Sequence, residues 1–284
     1  MQTFTEFYTR NRAEVDAVLF DVDGTLAVGC TPLPGALELL ELLKKDRTPF
    51  FLLTNDSCRS LREKARLMQG ANLPVEEENI LSAGSALKVW ADEFYKGGLY
   101  YLCGSLGDPC YALEAGIEVT RDPALAPSCC GIIMGEGRFE WRVQLETVFN
   151  MLLKRPELPV ICVNPDSYWP MADGVNMGVG GGGFSRFVCA LLKDAGYDIE
   201  PVYLGKPYRF IYECVYPFVK KNFPGLEIRE PRRVMMVGDS LASDIRGGNG
   251  AGFTTCLVLS GITTPALAEQ AEKERKPIHI FKSV

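Results

Sequence analysis

The chain has 284 residues, 47% hydrophobic and 23% charged, with a formal net charge of −6. That length holds one large domain or two medium ones, and the negative balance lacks the broad positive field that holds nucleic acid or an anionic membrane surface. No apolar stretch has the length of a membrane span, the opening MQTFTEFYTRNRAEVD has no apolar core of a secretory signal, and the ten cysteines include no Cys-x-x-Cys pair. The expectation is a cytoplasmic protein with reduced cysteines. A single histidine, His279, confines any Ser-His or Cys-His mechanism to that residue and excludes a two-histidine zinc site within one chain.

In chain order, AVLF (17–20) reads as a short buried strand and PGALELLELLKKD (34–46) as a helix with Pro34 in its first turn. PFFLLTND (49–56) is a second buried strand, SLREKARLMQGA (60–71) a helix closed by Gly70, and NILSAG (79–84) a third strand. Strands that are apolar throughout and linked by helices imply a parallel sheet covered on both faces. The rhythm returns late. PVYLGKP (201–207), RRVMMVGDS (232–240), TTCLVLSG (254–261) and IHIF (278–281) read as strands. YRFIYECVYPFVKKNF (208–223), interrupted near Pro217, and TPALAEQAEKER (264–275) read as helices. Between these halves, SALKVWADEFY (85–95) and WRVQLETVFNMLLKR (141–155) are helical, while GLYYLCG, CGIIMGE and LPVICVN are strands. The predicted fold is α/β: a doubly wound parallel core from 1–83 and 201–284, with an α/β domain inserted at 84–200.

Ligands of open α/β sheets bind beyond the carboxyl ends of the strands. Polar signatures stand at four such ends: Asp21-Val22-Asp23-Gly24-Thr25, Thr54-Asn55, Gly205-Lys206-Pro207 and Gly238-Asp239-Ser240, with Asp244 five residues beyond Asp239. Singly, each has a structural reading: an Asp-Gly turn, a helix cap at Thr54 to Ser57, a surface lysine, a cap by Asp239 or Ser240. Together they supply carboxylates, a hydroxyl, an amide and an ammonium, the groups phosphoryl transfer needs. A carboxylate nucleophile meets a negative phosphate monoester only if charge is screened, and Mg2+ with oxygen ligands does that, while lysine and backbone N–H groups hold the remaining phosphoryl oxygens.

The set resembles the haloacid dehalogenase-like (HAD) superfamily, whose first motif reads Asp-x-Asp-Gly-Thr/Val. PLPGALELL, NPDSYWP and SGITTPALAE further resemble its type IIA, NagD-like branch, which includes the 4-nitrophenylphosphatases. The resemblance implies a phosphatase in which Asp21 is the nucleophile and Asp23 the acid and base. Thr54, Asn55 and the Gly24 turn would bind the phosphoryl group, and Lys206 would neutralise it. Mg2+ would sit on the Asp21 carboxylate, the Asp23 carbonyl and Asp239, with Asp244 in support. The insertion would be a cap closing over a small phosphorylated metabolite, with Asn164 and Asp166 of VNPDSYWP meeting its leaving group; a turn after a strand reads equally well there. Members of the branch are often dimers, which leaves a homodimer open. No nucleic-acid or membrane partner is expected.

The chain departs from that pattern at Asp56, where the branch often has asparagine, and in the glycine-rich DGVNMGVGGGGFSRF (173–187). Gly178, Gly180 and Gly183 also fit G-x-G-x-x-G before a helix, a rival dinucleotide fingerprint that requires a buried strand leading into it. A close-packed entry to a cap helix is the other reading. A phosphotransferase on the same fold is a further alternative.

Overall fold

The architecture is that of a computed structural model, which describes residues 1–29, 31–170 and 176–284. The start of the glycine-rich stretch, 173–175, lies outside the described residues. The chain divides into two compact units, one of residues 1–54, 61–81 and 206–284, the other of 55–60 and 82–205.

The first unit is built on a six-stranded sheet in the order His279–Phe281, Thr254–Val258, Val234–Gly238, Ala17–Phe20, Phe50–Thr54, Ile80–Ser82. Ala17–Phe20 pairs in parallel with both of its neighbours, and all four of its side chains are buried, as expected of an interior parallel strand. Helix Ala36–Asp46 turns Leu39, Leu40 and Leu43 inward, one face of a 3.6-residue repeat. Its N-cap is Gly35 at φ +90°, so Pro34 precedes the helix instead of lying in its first turn. Helix Leu61–Gly70 ends without using glycine as its left-handed residue; Asn72, at φ +58°, takes that conformation. The segment 208–223 forms two helices, Arg209–Glu213 and Val215–Asn222, which meet at Cys214, before Pro217. Helix Phe4–Asn11, closed by a Thr3–Glu6 capping box, sets Phe4 edge-on to Phe20 and Phe281 in the core.

The second unit has its own five-stranded sheet, in the order Val202–Tyr203, Val160–Cys162, Gly131–Met134, Leu99–Cys103, Glu118–Thr120, parallel throughout. Helices Trp141–Lys154 and Gly181–Asp194 close its core, where Leu145, Val148, Phe184 and Val188 meet Tyr101, Ile132 and Met134. Val202–Tyr203, expected as a strand of the core sheet, is instead the edge strand of this one. Two residues of alternating β pattern carry no mark of which sheet they join. Tyr168–Pro170 and Met177–Val179 form a two-stranded antiparallel pair.

Candidate active site

Asp21 follows Phe20 at the carboxyl end of its strand, and its N–H donates to the Val237 carbonyl of the neighbouring strand (2.9 Å). Phe20 pairs with Leu52 on the other side, so Thr54 emerges at the same edge. Beyond Asp21 the chain turns sharply: Gly24 has φ +79° and its N–H donates to the Ala27 carbonyl (2.8 Å). Asp23, exposed, opens this turn. A left-handed residue without a Cβ is required at 24, because a Cβ there would stand 2.4 Å from Asp239 Oδ2.

Lys206 is the centre of the charge arrangement. Its side chain is 3% exposed, and Nζ donates to Asp21 Oδ1 (2.5 Å) and Asp244 Oδ1 (2.7 Å). Asp244, fully buried, lies in a π-helical turn, Leu241–Ile245, and its Oδ2 accepts from the Ser240 N–H (3.1 Å). Such wide turns recur at functional sites. Asp239 ends strand Val234–Gly238; its Oδ2 accepts from the Ile262 N–H (2.8 Å) and its carbonyl from the Thr263 hydroxyl (2.5 Å). Carboxylate oxygens of Asp21, Asp239 and Asp244 all lie within 4.8 Å of one another.

The electrostatics follow from three carboxylates around one ammonium. Burial pushes the Asp21 carboxyl well above its ordinary range; Lys206 opposes this, and Asp244 and Asp239 add to it. Burial, then repulsion from Asp244, pushes Asp239 up to about 6. Burial alone would lower Lys206, but Asp21 and Asp244 outweigh it and hold the ammonium charged well above its usual range. Such a surplus of buried carboxylate oxygen fits a hard divalent cation, which prefers oxygen donors.

The residues after Thr54 pack in the second unit, in a different kind of arrangement. Asn55 Nδ2 lies 3.1 Å from both carboxylate oxygens of Asp166. The Asp166 N–H donates to Asn164 Oδ1 (2.9 Å), and Asn164 Nδ2 donates to Glu136 Oε2 (2.7 Å). Glu136 Oε1 accepts from both the N–H (2.9 Å) and the hydroxyl (3.1 Å) of Ser57. Burial raises the Glu136 carboxyl pKa, against the lowering by the Ser57 N–H. Asp56 caps the turn that follows, accepting from the Cys58 and Arg59 amides and pairing with the Arg59 guanidinium (3.0 Å). Its charge is thus met by an arginine three residues on.

The comparisons bear on this geometry. A haloacid dehalogenase-like hydrolase profile matches residues 18–118, and a HAD-hydrolase-like profile matches 203–284. The chain is 27% identical over 267 residues to a dihydroxyacetone phosphatase of Corynebacterium glutamicum, covering 94% of this chain and 88% of that protein. It superposes on the p-nitrophenyl phosphatase of Archaeoglobus fulgidus with TM-score 0.75 and 25% identity, over 95% and 96% of the two chains. The fold is also shared with a glycerol phosphate phosphatase of Mycobacterium tuberculosis solved in complex with magnesium (TM-score 0.80, 22% identity, 100% and 77% covered).

The chain belongs to the haloacid dehalogenase-like hydrolases.

Its fold is likewise shared with NagD of E. coli K-12 (TM-score 0.77, 22% identity, 95% and 96% covered). For this HAD-like hydrolase the structure brings Asp21, Lys206, Asp239 and Asp244 together, with Thr54 at the same sheet edge. Asn55, Asn164 and Asp166 gather in the second unit, where Asn164 is buried with both ends of its amide engaged. The dinucleotide fingerprint meets a different setting: Gly178 lies in an antiparallel pair instead of following a buried parallel strand. Gly180, Gly182 and Gly183 bring the start of helix Gly181–Asp194 against main-chain carbonyls of Pro165, Asp166 and Ser167, where a Cβ would come within 2.0–2.4 Å.

Several positions escaped the sequence analysis. Ser260, Gly261, Ile262 and Thr263 hold the site from behind: the Ser260 hydroxyl donates to the Gly24 carbonyl (2.8 Å), and a Cβ on Gly261 would stand 1.8 Å from Asp239 Oδ2. The stretch SGITTP stands out in sequence only as a mark of resemblance; its contacts lie more than twenty residues away in sequence. Glu136 had no local signal at all.

Proposed function

We propose that the protein is a Mg2+-dependent phosphatase that hydrolyses a small phosphorylated metabolite through an aspartyl-phosphate on Asp21. The chain is a HAD-type phosphatase; the metal, the intermediate, the residue roles and the substrate class are the proposal. One observation carries it: a buried lysine joins Asp21 to Asp244, with Asp239 beside them and Asp23 two residues beyond Asp21.

In this reading Asp21 Oδ attacks phosphorus while Asp23 gives its proton to the departing oxygen. Asp23, now a carboxylate, then takes a proton from the water that attacks the phosphoaspartate, which releases inorganic phosphate and regenerates Asp21. Lys206 fixes the Asp21 carboxylate and offsets charge on the phosphoryl oxygens, while the Thr54 hydroxyl and Asn55 amide bind them. Gly24 acts by making room for Asp239. The Asp21 carboxylate, the Asp23 carbonyl and Asp239, with Asp244 in support, would hold Mg2+, which would supply positive charge for the phosphoryl oxygens. Substrate selection is assigned to the second unit, with Asp166 as the candidate group for the leaving group and Asn164 holding its loop. Relatives include a glycerol-3-phosphate phosphatase of Gallus gallus and acid sugar phosphatases of staphylococci, which favours a polyol or sugar phosphate. The described cysteines are free thiols, in keeping with the proposed cytoplasmic setting.

The test is hydrolysis of p-nitrophenyl phosphate with EDTA, then with Mg2+ restored, with nitrophenol and inorganic phosphate counted in parallel. The expected result is loss and recovery of turnover with equal yields. Turnover in EDTA overturns the metal role, and phosphate falling short of nitrophenol when glycerol is added identifies a phosphotransferase.

A further inference from the structure

Glu136 belongs to no motif, yet it lies at the centre of a closed ring of hydrogen bonds. From Asn55 the ring runs to the Asp166 carboxylate, through the Asp166 N–H to Asn164 Oδ1, through Asn164 Nδ2 to Glu136, and through Glu136 to Ser57, two residues beyond Asn55. Glu136 is 3% exposed and Asn164 is 4% exposed, so water does not compete for the bonds that join Glu136 to Ser57 and Asn164.

The ring has a direction. A carboxylate only accepts, and it is met by three donors: the Ser57 N–H, the Ser57 hydroxyl and the Asn164 amide NH2. That obliges Asn164 to turn its NH2 toward Glu136 and its oxygen toward the Asp166 N–H. The Asp166 main chain, and through it the carboxylate that Asn55 grips, is therefore set by the charge type of Glu136. Asn55 in turn directly follows Thr54 in the chain.

We propose that Glu136 is a positioning residue that sets leaving-group selectivity by fixing the pose of Asp166, a role that rests on the proposed function of that residue. It makes no contact with reacting atoms. Its effect appears in KM for substrates whose leaving group Asp166 grips, and not in the chemical step.

The experiment compares E136Q, S57A and the double variant E136Q/N164D with the wild-type protein. Two substrate classes are used: p-nitrophenyl phosphate, and whichever of glycerol 3-phosphate, dihydroxyacetone phosphate and glucose 6-phosphate the wild type turns over best. E136Q turns its NH2 either to Ser57, losing the bond from the Ser57 N–H, or to Asn164, whose amide must then oppose it or flip its NH2 against the Asp166 N–H; in each case one bond of the ring is lost. The expected result is a rise of about tenfold in KM for the metabolite, the size of one buried polar mismatch, with kcat and the p-nitrophenyl phosphate constants within about twofold. In E136Q/N164D the new amide donates to the new carboxylate, whose other oxygen accepts from the Asp166 N–H, so every bond returns and KM recovers. S57A, which keeps Glu136, shifts KM in the same direction by a smaller factor and serves if E136Q does not fold. Equal losses on both substrate classes, no change on either, or no recovery in the double variant would overturn the positioning role. A wild-type protein inert toward all of these phosphates overturns the function beneath it instead.

Discussion

The two clusters of polar residues differ in how their charges are balanced. Around Lys206, three carboxylates share one ammonium, and burial pushes Asp21 and Asp239 above their ordinary range. In the ring around Glu136, two carboxylates, Glu136 and Asp166, are met by neutral N–H and O–H donors, and the ring closes on itself. The first arrangement has charge to spare and is suited to take a cation and an anionic substrate; the second is complete and is suited to hold a shape. Asp16 gives the contrast within the first unit: its buried carboxylate is fully met by Arg229 and Arg233, and it serves the fold.

Breaking the unbalanced cluster should give the largest effects. Asp21→Asn keeps shape but removes the nucleophile, and turnover of p-nitrophenyl phosphate should fall by at least about 10³-fold with the melting temperature nearly unchanged. Lys206→Met should cost both function and stability. We expect kcat to fall by about 10²-fold, and urea unfolding to show a loss of about 3 kcal/mol, because Asp21 and Asp244 lose their buried counter-ion. Retained stability would mean that the pair is not buried as described.

Gly261→Ala sharpens the comparison without replacing a charged group. Its Cβ would drive into Asp239 Oδ2, so the Mg2+ concentration for half-maximal activity should rise by about tenfold. The selectivity ratio governed by Glu136 should stay as in the wild type. A change in that ratio would show that the two clusters are not independent.

The smallest effect concerns Asp16. Burial alone would raise its pKa, but hydrogen bonds from Arg229 and Arg233 outweigh this and hold it below the usual carboxylate range. A depressed pKa stabilises the fold above the unfolded value, roughly pH 4, and that stability is lost as pH falls through the folded value. Asp16→Asn should therefore cost about 1–2 kcal/mol at pH 7, discounted because Arg229 is largely exposed, and the difference from wild type should shrink below pH 4. A difference constant from pH 7 to pH 3 would contradict this assignment.

Part of the core site was legible because Asp21 and Asp239 sit where an apolar run stops. Phe20 to Asp21 and Gly238 to Asp239 are one-residue steps from buried strand to carboxylate, visible without any tertiary contact. Lys206 was found by its motif, although the strand before it joins the other sheet. What stayed hidden depends on contacts between distant segments: Thr263 on Asp239, Ser260 on Gly24, and Glu136 between Ser57 and Asn164. No periodicity or spacing encodes a bond across 79 residues. Asp56, a departure from the branch pattern in sequence, pairs in the fold with Arg59.

Asp21 as the acceptor of the phosphoryl group is tested most directly by mass spectrometry of acid-quenched protein. Asp23→Asn slows the second step, so p-nitrophenyl phosphate and Mg2+ should leave one phosphoryl group on the peptide containing Asp21, removable by hydroxylamine. A phosphoryl group on any other residue, or steady turnover by Asp23→Asn with an unmodified peptide throughout, would contradict it.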